Sequence, residues 1–159
     1  MFISIKDKLD NPSVLQLMAQ SEYDYSIERA IERTKAYRDN DAQQLYGWYE
    51  RENLQGVCGF IVHADKVEIN KISVDESSRG RGIGSAMVRE LWRRYGKVIE
   101  AETDDDAVGF YRRIGFTASA YERNGFPRRK CVLPAPKPLE QITDDERKQL
   151  FSVILLEKC

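Results

Sequence analysis

Arg79-Gly80-Arg81-Gly82-Ile83-Gly84 is the stretch that decides the fold, because it joins an apolar run ending at Val74 to an amphipathic run beginning at Ile83. Glycine lets the backbone turn sharply and approach a ligand without a Cβ in the way. A helix that starts here directs its unpaired N–H groups and the positive end of its dipole at the turn. The stretch therefore predicts an anion site, with a phosphate or a pyrophosphate as its ligand.

The elements on either side of the turn are predicted from hydrophobic periodicity. Three apolar runs at 45–51, 57–63 and 67–74 follow one another through short turn-like connections, which indicates an antiparallel meander. Apolar residues at helical spacing predict a helix over 83–95 that ends near Gly96, and a strand follows over 98–102. The strand, glycine turn, helix and next strand form a right-handed crossover with the turn at its front.

The third run of the meander changes phase along its length. Val67 and Ile69 share one face, whereas Ile72 and Val74 share the other face of a regular pleat. A β-bulge at 70–71 adds one residue and returns all four side chains to the core side. Bulges often lie beside active sites, so we expect one here.

The remaining segments carry start, stop and turn signals that predict a strand, four helices and a hairpin. These are a strand at 2–6, helices at 12–18, 21–37, 107–114 and from Thr143 through Leu155, and a hairpin of 116–121 with 128–133 around Asn124-Gly125. Three prolines between 134 and 138 form a stiff connector. We expect one domain over 1–133, with the connector and last helix over 134–159 packing on it or on a partner.

Composition excludes several classes of protein. The chain has 159 residues and a net charge of −1, which gives no global attraction to nucleic acid or to an anionic membrane. Cys58, Cys131 and Cys159 lack metal-site spacing and only His63 accompanies them, so we expect no metal and a reducing compartment. The N-terminus does not have the pattern of a signal peptide and no apolar run approaches the length needed to span a bilayer, so a cytoplasmic protein is expected.

Two common phosphate loops do not match the turn. A P-loop ends in Gly-Lys-Ser/Thr, whereas this turn ends in Gly82-Ile83-Gly84-Ser85 and has no lysine. A dinucleotide-binding turn needs Gly-x-Gly-x-x-Gly after the first strand, and here the third glycine comes one residue too early. The turn also follows a meander instead of opening a βαβ series.

Two motifs together resemble the GNAT N-acetyltransferase superfamily. Arg79-x-x-Gly82-x-Gly84 after a strand resembles the acyl-CoA pyrophosphate loop of that family, and the run 107–116, Ala-Val-Gly-Phe-Tyr-Arg-Arg-Ile-Gly-Phe, resembles its second motif. The resemblance covers about residues 2–133. It implies an α/β (α+β) fold with a mixed, mostly antiparallel sheet of six to seven strands flanked by helices. The sheet would splay between the strands at 67–74 and 98–102, and acyl-CoA would lie in the splay.

The resemblance also implies a binding site for acetyl-CoA as co-substrate. Three residues of the third run would pair with the pantetheine through their backbone: Ile72, Ser73 and Val74. Backbone N–H groups of the turn would bind the pyrophosphate: Arg79, Gly80, Arg81, Gly82, Ile83, Gly84 and Ser85. The remaining residues of the set are Asp104, Phe110 and Tyr111. Many members of the family carry an asparagine at the position of Asp104. An ionised aspartate cannot donate the hydrogen bond that an asparagine donates.

For the chemistry, the resemblance implies Tyr111 as the general acid that protonates the departing thiolate and Glu68 as the general base. Glu100, Glu102 and water are alternative bases. The predicted function is direct transfer of an acetyl group from acetyl-CoA to a primary amine of a small molecule or peptide. The alternative is a non-catalytic acyl-CoA-binding sensor or interaction module. Neither nucleic acid nor a membrane is expected as a partner, and a homodimer is left open.

Overall fold

A computed structural model describes residues 1–22, 24–137 and 141–149. Before residue 134 the described residues form seven strands, four α-helices and two short 3-10 helices, Lys6–Lys8 and Glu76–Ser78. In chain order the strands and α-helices are β1 Phe2–Ser4, α1 Pro12–Gln20, α2 Ile27–Asp39, β2 Gln43–Glu50, β3 Asn53–Val62, β4 Lys66–Val74, α3 Ile83–Tyr95, β5 Val98–Thr103, α4 Val108–Ile114, β6 Thr117–Arg123 and β7 Phe126–Leu133.

The strands form one sheet in the order β1-β2-β3-β4-β5-β7-β6. Neighbouring strands are antiparallel except β4 and β5, which α3 connects as a parallel pair. The prediction of a mixed, mostly antiparallel sheet is therefore confirmed. Pairing between β4 and β5 runs from Lys66 with Val98 to Ile69 with Ala101 and stops there, although both strands continue. The sheet splays where it was predicted to splay.

The bulge in β4 is also confirmed. Gly59 of β3 pairs with Lys71 and the next residue, Phe60, pairs with Ile69, so Asn70 is the extra residue. Because the bulge restores the phase of the pleat, apolar side chains on both sides of it pack against one core cluster: Val67, Ile69, Ile72 and Val74.

Two cores lie on opposite faces of the sheet. The larger one lies beneath α3 and α4 and includes Phe60, Met87 and Leu91, all fully buried. The second lies beneath α1 and α2, over β2, β3 and β4, and includes Met18 and Leu45. Helices therefore cover β3 and β4 on both faces in the region that leads to the splay.

The second helix differs from its prediction. It begins at Ile27 instead of Ser21, because Tyr25 adopts a left-handed φ of 53° and Ser26 caps the helix by accepting a hydrogen bond from the Arg29 N–H. A left-handed residue cannot continue a right-handed helix. Helical spacing alone did not reveal this break.

The buried face of α2 is narrow. Ala30, Thr34 and Tyr37 are buried, whereas Ile27 and Ile31 are 47% and 42% exposed. The small side chains of Ala30 and Thr34 let the helix approach the sheet closely, and this rotates the two isoleucines away from it.

The turns and termini follow the prediction with small changes. Asn124 and Gly125 have φ of 52° and 79° and connect β6 to β7, as predicted. The β2–β3 connection is only two residues long, Arg51 and Glu52, and is shorter than predicted. Residues 144–149 are helical. Thr143 and Glu146 cap them reciprocally, with the Glu146 N–H donating to Thr143 Oγ1 and the Thr143 N–H donating to Glu146 Oε2.

The rest of the predicted last helix lies outside the described residues, as do Tyr23 and Cys159. Cys58 and Cys131 are buried free thiols. Within the described part of the chain, none of the helices has the length and apolar character needed to cross a membrane.

Candidate functional site

A cleft of about 820 Å³ opens where β4 and β5 separate. The bulged half of β4 and the glycine turn form one side of it, together with the first turn of α3 and the cleft-facing residues of α4. The end of α1 and the end of β5 complete the lining, which includes Gln20, Ser21 and Glu102. The splay thus brings the turn, the open strand edge and α4 to one opening.

The glycine turn has a backbone that only glycine adopts without strain. Gly80 and Gly82 have φ of 78° and 79°, in the left-handed region. A Cβ built on either residue would meet nothing within 4 Å. The requirement for glycine at these two positions is therefore set by φ, and the open space in front of the turn is available to a ligand.

The N–H groups of residues 80–85 have no hydrogen-bond acceptor in the part of the chain that the structure describes. The first helical bond after them is donated by the Ala86 N–H to the Gly82 carbonyl, at 2.9 Å. Several of these groups open α3, where the helix dipole is positive. Six consecutive free donors beside open space form a binding site for an anion.

Gly84 has a different role from the other two glycines. A Cβ there would lie 2.9 Å from Phe110 Cε2, which is too close for packed atoms. Gly84 therefore lets the start of α3 pack against α4. This contact fixes the distance between the anion site and the helix that carries Tyr111.

The edge of β4 that faces the splay is also unpaired. Ile72, Ser73 and Val74 line the cleft, and β5 pairs with β4 only as far as Ile69. Backbone groups on that edge are available to an extended ligand, much as an edge strand is available to another strand. The Val74 carbonyl is an exception, since it accepts a hydrogen bond from Arg79 Nε at 3.1 Å.

Tyr111 lies on α4 at the wall of the same cleft and is 5% exposed. Its ring makes edge-on contacts with Phe110 and Phe116, at centroid distances of 5.0 and 5.2 Å. Burial raises the pKa of Tyr111. The hydroxyl therefore stays protonated at neutral pH.

Of the three candidate bases, only Glu102 lines the cleft. Its Oε2 accepts a hydrogen bond from Arg123 Nη1 at 3.0 Å. Glu68 and Glu100 are paired neighbours on β4 and β5, below the point of separation. The role predicted for Glu68 remains a prediction, and its carboxylate lies outside the lining, 2.8 Å from His63 Nε2.

Glu100 is held by two lysines. Its carboxylate accepts from Lys66 Nζ at 2.8 Å and lies 3.6 Å from Lys130 Nζ. The hydrogen bond from Lys66 holds the pKa of Glu100 below its ordinary value. A carboxylate engaged in this way is a poor proton acceptor.

Two of the predicted cofactor residues do not line the cleft. Arg81 points away from it, and its Nη2 donates to Glu50 Oε2 at 2.9 Å on the other side of the turn. Asp104 caps the segment before α4 by accepting from the Ala107 N–H at 2.9 Å. Its carboxylate thus does structural work that asparagine would also do.

Sequence reasoning missed two charged groups of the lining. Arg113 lines the cleft and has no ion-pair partner among residues 1–22, 24–137 and 141–149. Its position in the motif at 107–116 could have indicated from the sequence that Arg113 lies near the site. Lys71 also lines the cleft, and its Nζ lies 3.1 Å from Glu22 Oε1. These two residues are 49 positions apart, so no local pattern could join them.

The Glu22–Lys71 pair is almost completely buried, with side-chain exposures of 8% and 11%. Burial lowers the pKa of Lys71. Burial alone would raise the pKa of Glu22, but the hydrogen bond and charge of Lys71 hold it below its ordinary value. Arg33 adds a second contact to the same carboxylate, at 3.4 Å.

Comparison with known proteins identifies a family domain in the middle of the chain. Residues 41–118 match the model of the acetyltransferase (GNAT) domain. An uncharacterised N-acetyltransferase of Bacillus methanolicus is 36% identical over 66 residues, which are 41% of this chain and 55% of that protein. The N-alpha-acetyltransferase RimI of Mycobacterium tuberculosis is 42% identical over 66 residues, 39% of each chain. The matched segment thus spans about half or less of these curated relatives.

The fold extends further than the sequence match. A solved aminoglycoside 6'-N-acetyltransferase, crystallised with coenzyme A, superposes with a TM-score of 0.70 at 15% identity. The match covers 87% of this chain and 99% of that one. At this identity the likeness concerns the fold alone.

Proposed function

Since the chain belongs to the GNAT acetyltransferase family, we propose that it transfers the acetyl group of acetyl-CoA to a primary amine of a small molecule or peptide. The observation that supports this most is the convergence of three features on one cleft. They are the free N–H groups of the turn, the open edge of β4 and the buried hydroxyl of Tyr111.

The residues of the cleft fit acetyl-CoA as co-substrate. The open space in front of Gly80 and Gly82 admits a diphosphate to the N–H groups of residues 80–85. Arg79 and Arg113 line the cleft and add positive charge for the phosphates. The strand edge at 72–74 would hold the extended pantetheine arm by backbone hydrogen bonds.

When bound, acetyl-CoA supplies an activated thioester, which a neutral amine attacks directly. The chain has two tasks in that reaction besides orientation. Glu102 takes a proton from the incoming ammonium, so that the nitrogen carries a lone pair. The Tyr111 hydroxyl gives its proton to the departing sulfur and regains one from the nitrogen or from water. The overall change releases one acetylated amine, one CoA thiol and one proton.

A second candidate, a sensor that binds acyl-CoA without catalysis, explains less of the cleft. It accounts for the turn and the strand edge. It gives no reason for a buried tyrosine hydroxyl and a carboxylate to line the same opening. We therefore favour the enzyme.

The test has two parts. Acetyl-CoA is titrated into the protein calorimetrically, and free CoA thiol is then followed with a panel of amino acids, polyamines, aminoglycosides and peptide N-termini. We expect saturable binding and thiol release with at least one amine. Binding without thiol release from any member would support the sensor instead, and the absence of binding would refute both candidates.

A further inference from the structure

Two of the charged side chains that line the cleft, Lys71 and Glu102, are each paired with an opposite charge. Glu102 is the carboxylate among the lining residues, and the other ionisable groups of the lining with a formal charge are Lys71, Arg79 and Arg113. Glu102 is itself in contact with Arg123, and Glu22 beside Lys71 is in contact with two cations. Both of these carboxylates are therefore already compensated.

This balance disfavours an acceptor with several positive charges. A polyamine or an aminoglycoside needs several uncompensated carboxylates, since each ammonium group must exchange its water for a negative partner. At Glu102 such a molecule would also meet the guanidinium of Arg123. Like charges placed together at a binding site act against the wrong ligand.

The Glu102–Arg123 pair has the form of a receptor for a ligand that carries both charges. Arg123 Nη1 uses only Oε2 of Glu102, so Oε1 is available to an ammonium group. The Arg123 side chain is 63% exposed and keeps further N–H donors that are arranged for a carboxylate. In an α-amino acid a single carbon, Cα, separates the amine nitrogen from the carboxylate. The ammonium of the ligand would thus face Glu102, and its carboxylate would face Arg123.

The hairpin that carries Arg123 also shapes the surroundings of Glu102. Tyr121 lies two residues before Arg123 on β6, and burial raises the pKa of its hydroxyl, which has no hydrogen-bond partner among the described residues. Lys130 pairs with Glu102 in the strand register and places another positive charge on the same face. Since Lys130 Nζ lies 3.6 Å from Glu100 Oε1, the cation that a ligand carboxylate would meet beside Glu102 is Arg123.

We infer that the acceptor is a free α-amino acid, whose ammonium binds Glu102 while its carboxylate binds Arg123. The inference rests on the proposed acetyl transfer and adds the chemical class of the amine. Glu102 then loses part of its contact with Arg123 to the ligand carboxylate, and this frees the carboxylate of Glu102 to accept the proton of the ammonium. A plain amine has no carboxylate to bind Arg123. The guanidinium of Arg123 therefore competes with the ammonium of that amine for Glu102.

The test compares matched acceptors by the release of CoA thiol. The twenty amino acids are screened first. The best one is then compared with its α-amide, which mimics a peptide N-terminus, and with the amine that lacks the carboxylate. We expect kcat/KM for the amino acid to exceed that of both analogues by roughly 10-fold to 100-fold, because a site built for a polar group rejects an analogue that lacks it.

The Arg123→Met variant tests whether Arg123 is the group that binds the carboxylate of the acceptor. It should lower kcat/KM for the amino acid at least about 10 times more than for the decarboxylated amine, and Arg123→Lys should fall between Arg123→Met and the native protein. Arg93→Met is the control, because Arg93 is an exposed arginine on α3 that contacts Glu90. It should leave the ratio between the acceptors unchanged.

Three results would overturn the inference. They are an amide or a plain amine that is accepted as well as the acid, an Arg123→Met variant that keeps the native preference, and a screen in which no amino acid is acetylated. If acetyl-CoA binds and other amines release thiol, the proposed acetyl transfer survives while the amino-acid acceptor fails. If no amine of any class releases thiol, the proposed function itself fails.

Discussion

The two walls of the cleft offer different chemical groups to a ligand. The glycine wall, formed by residues 72–74, 79–85 and α4, offers mainly backbone donors and acceptors and one buried hydroxyl. The charged wall consists of the lining residues Lys71 and Glu102 and of their ion-pair partners Glu22 and Arg123, which lie outside the lining. A backbone site depends on φ and on the absence of a Cβ, so few substitutions can harm it. A site of paired charges depends on each partner and changes its specificity with single substitutions.

The largest effect is expected at Tyr111, the reactive side chain of the glycine wall. Tyr111→Phe keeps the ring between Phe110 and Phe116 and removes the proton that is given to the sulfur. We expect turnover to fall by about 10²-fold to 10⁴-fold, while acetyl-CoA affinity changes little. Steady-state rates and calorimetric titration measure the two effects separately.

Tyr95→Phe is the matched control for this substitution. Tyr95 is a half-buried tyrosine at the far end of α3, where it packs against Phe60 and lies outside the cleft lining. Its variant should behave as the native protein does. An unchanged turnover in Tyr111→Phe would show that the acid lies elsewhere and that Tyr111 serves packing alone.

The backbone nature of the glycine wall is tested at Gly82. Gly82→Val should weaken acetyl-CoA binding by at least about 100-fold, because a β-branched residue resists the left-handed φ that aligns the N–H groups. Gly125→Val is the control, since Gly125 has the same φ of 79° and the same open surroundings at a hairpin tip. Both variants should lose about 1–2 kcal/mol of stability. Equal loss of binding in both would mean that strain, not the site, is responsible.

The difference between the walls also explains what could be predicted from the sequence. The glycine wall is local: its turn, its helix start and its Phe-Tyr motif each lie within ten residues, and periodicity placed α3 at Ile83–Tyr95 with Gly96 after it. The phase change near Asn70 predicted the bulge, because a strand has a period of two. The splay followed from the family resemblance.

The charged wall could not be predicted, because its pairs join distant positions. Glu22 meets Lys71 across 49 residues and Glu102 meets Arg123 across 21. Charged residues also occur throughout an ordinary surface, so composition does not single these out. The start of α2 was misplaced for a related reason, since the positive φ of Tyr25 has no local sequence signal.

The buried pair of the charged wall should matter for stability. Glu22→Gln leaves the Lys71 ammonium 11% exposed and without its anionic partner, and removing one member of a buried pair is costly. We expect the free energy of unfolding to fall by about 2–3 kcal/mol in urea denaturation. Adding Lys71→Met should restore at least half of the loss, because the uncompensated charge is then absent. A double variant no more stable than Glu22→Gln would contradict a role for pairing.

The same pair predicts a dependence of stability on pH. The pKa of Glu22 is held below its ordinary value of 4.5, so folding favours its charged form. The stability that this contributes is complete above pH 4.5 and is lost as the pH falls through the folded pKa. The difference in unfolding free energy between the native protein and Glu22→Gln should therefore shrink below pH 4.5. A difference that stays constant down to pH 3 would contradict the assignment.

The smallest expected effect is on acetyl-CoA binding, and it distinguishes Arg113 from Arg81. Arg113 lines the cleft without an ion-pair partner in the described residues, whereas Arg81 is turned away and bound to Glu50. Arg113→Ala should weaken acetyl-CoA binding by about 3-fold at low salt, the size expected of an exposed charge near a phosphate, and the effect should fade as salt screens it. Arg81→Ala should not change binding at either salt concentration. If Arg81→Ala has the larger effect, its side chain must leave Glu50 when the cofactor binds, and the division between backbone and side-chain walls would then be less complete than the structure indicates.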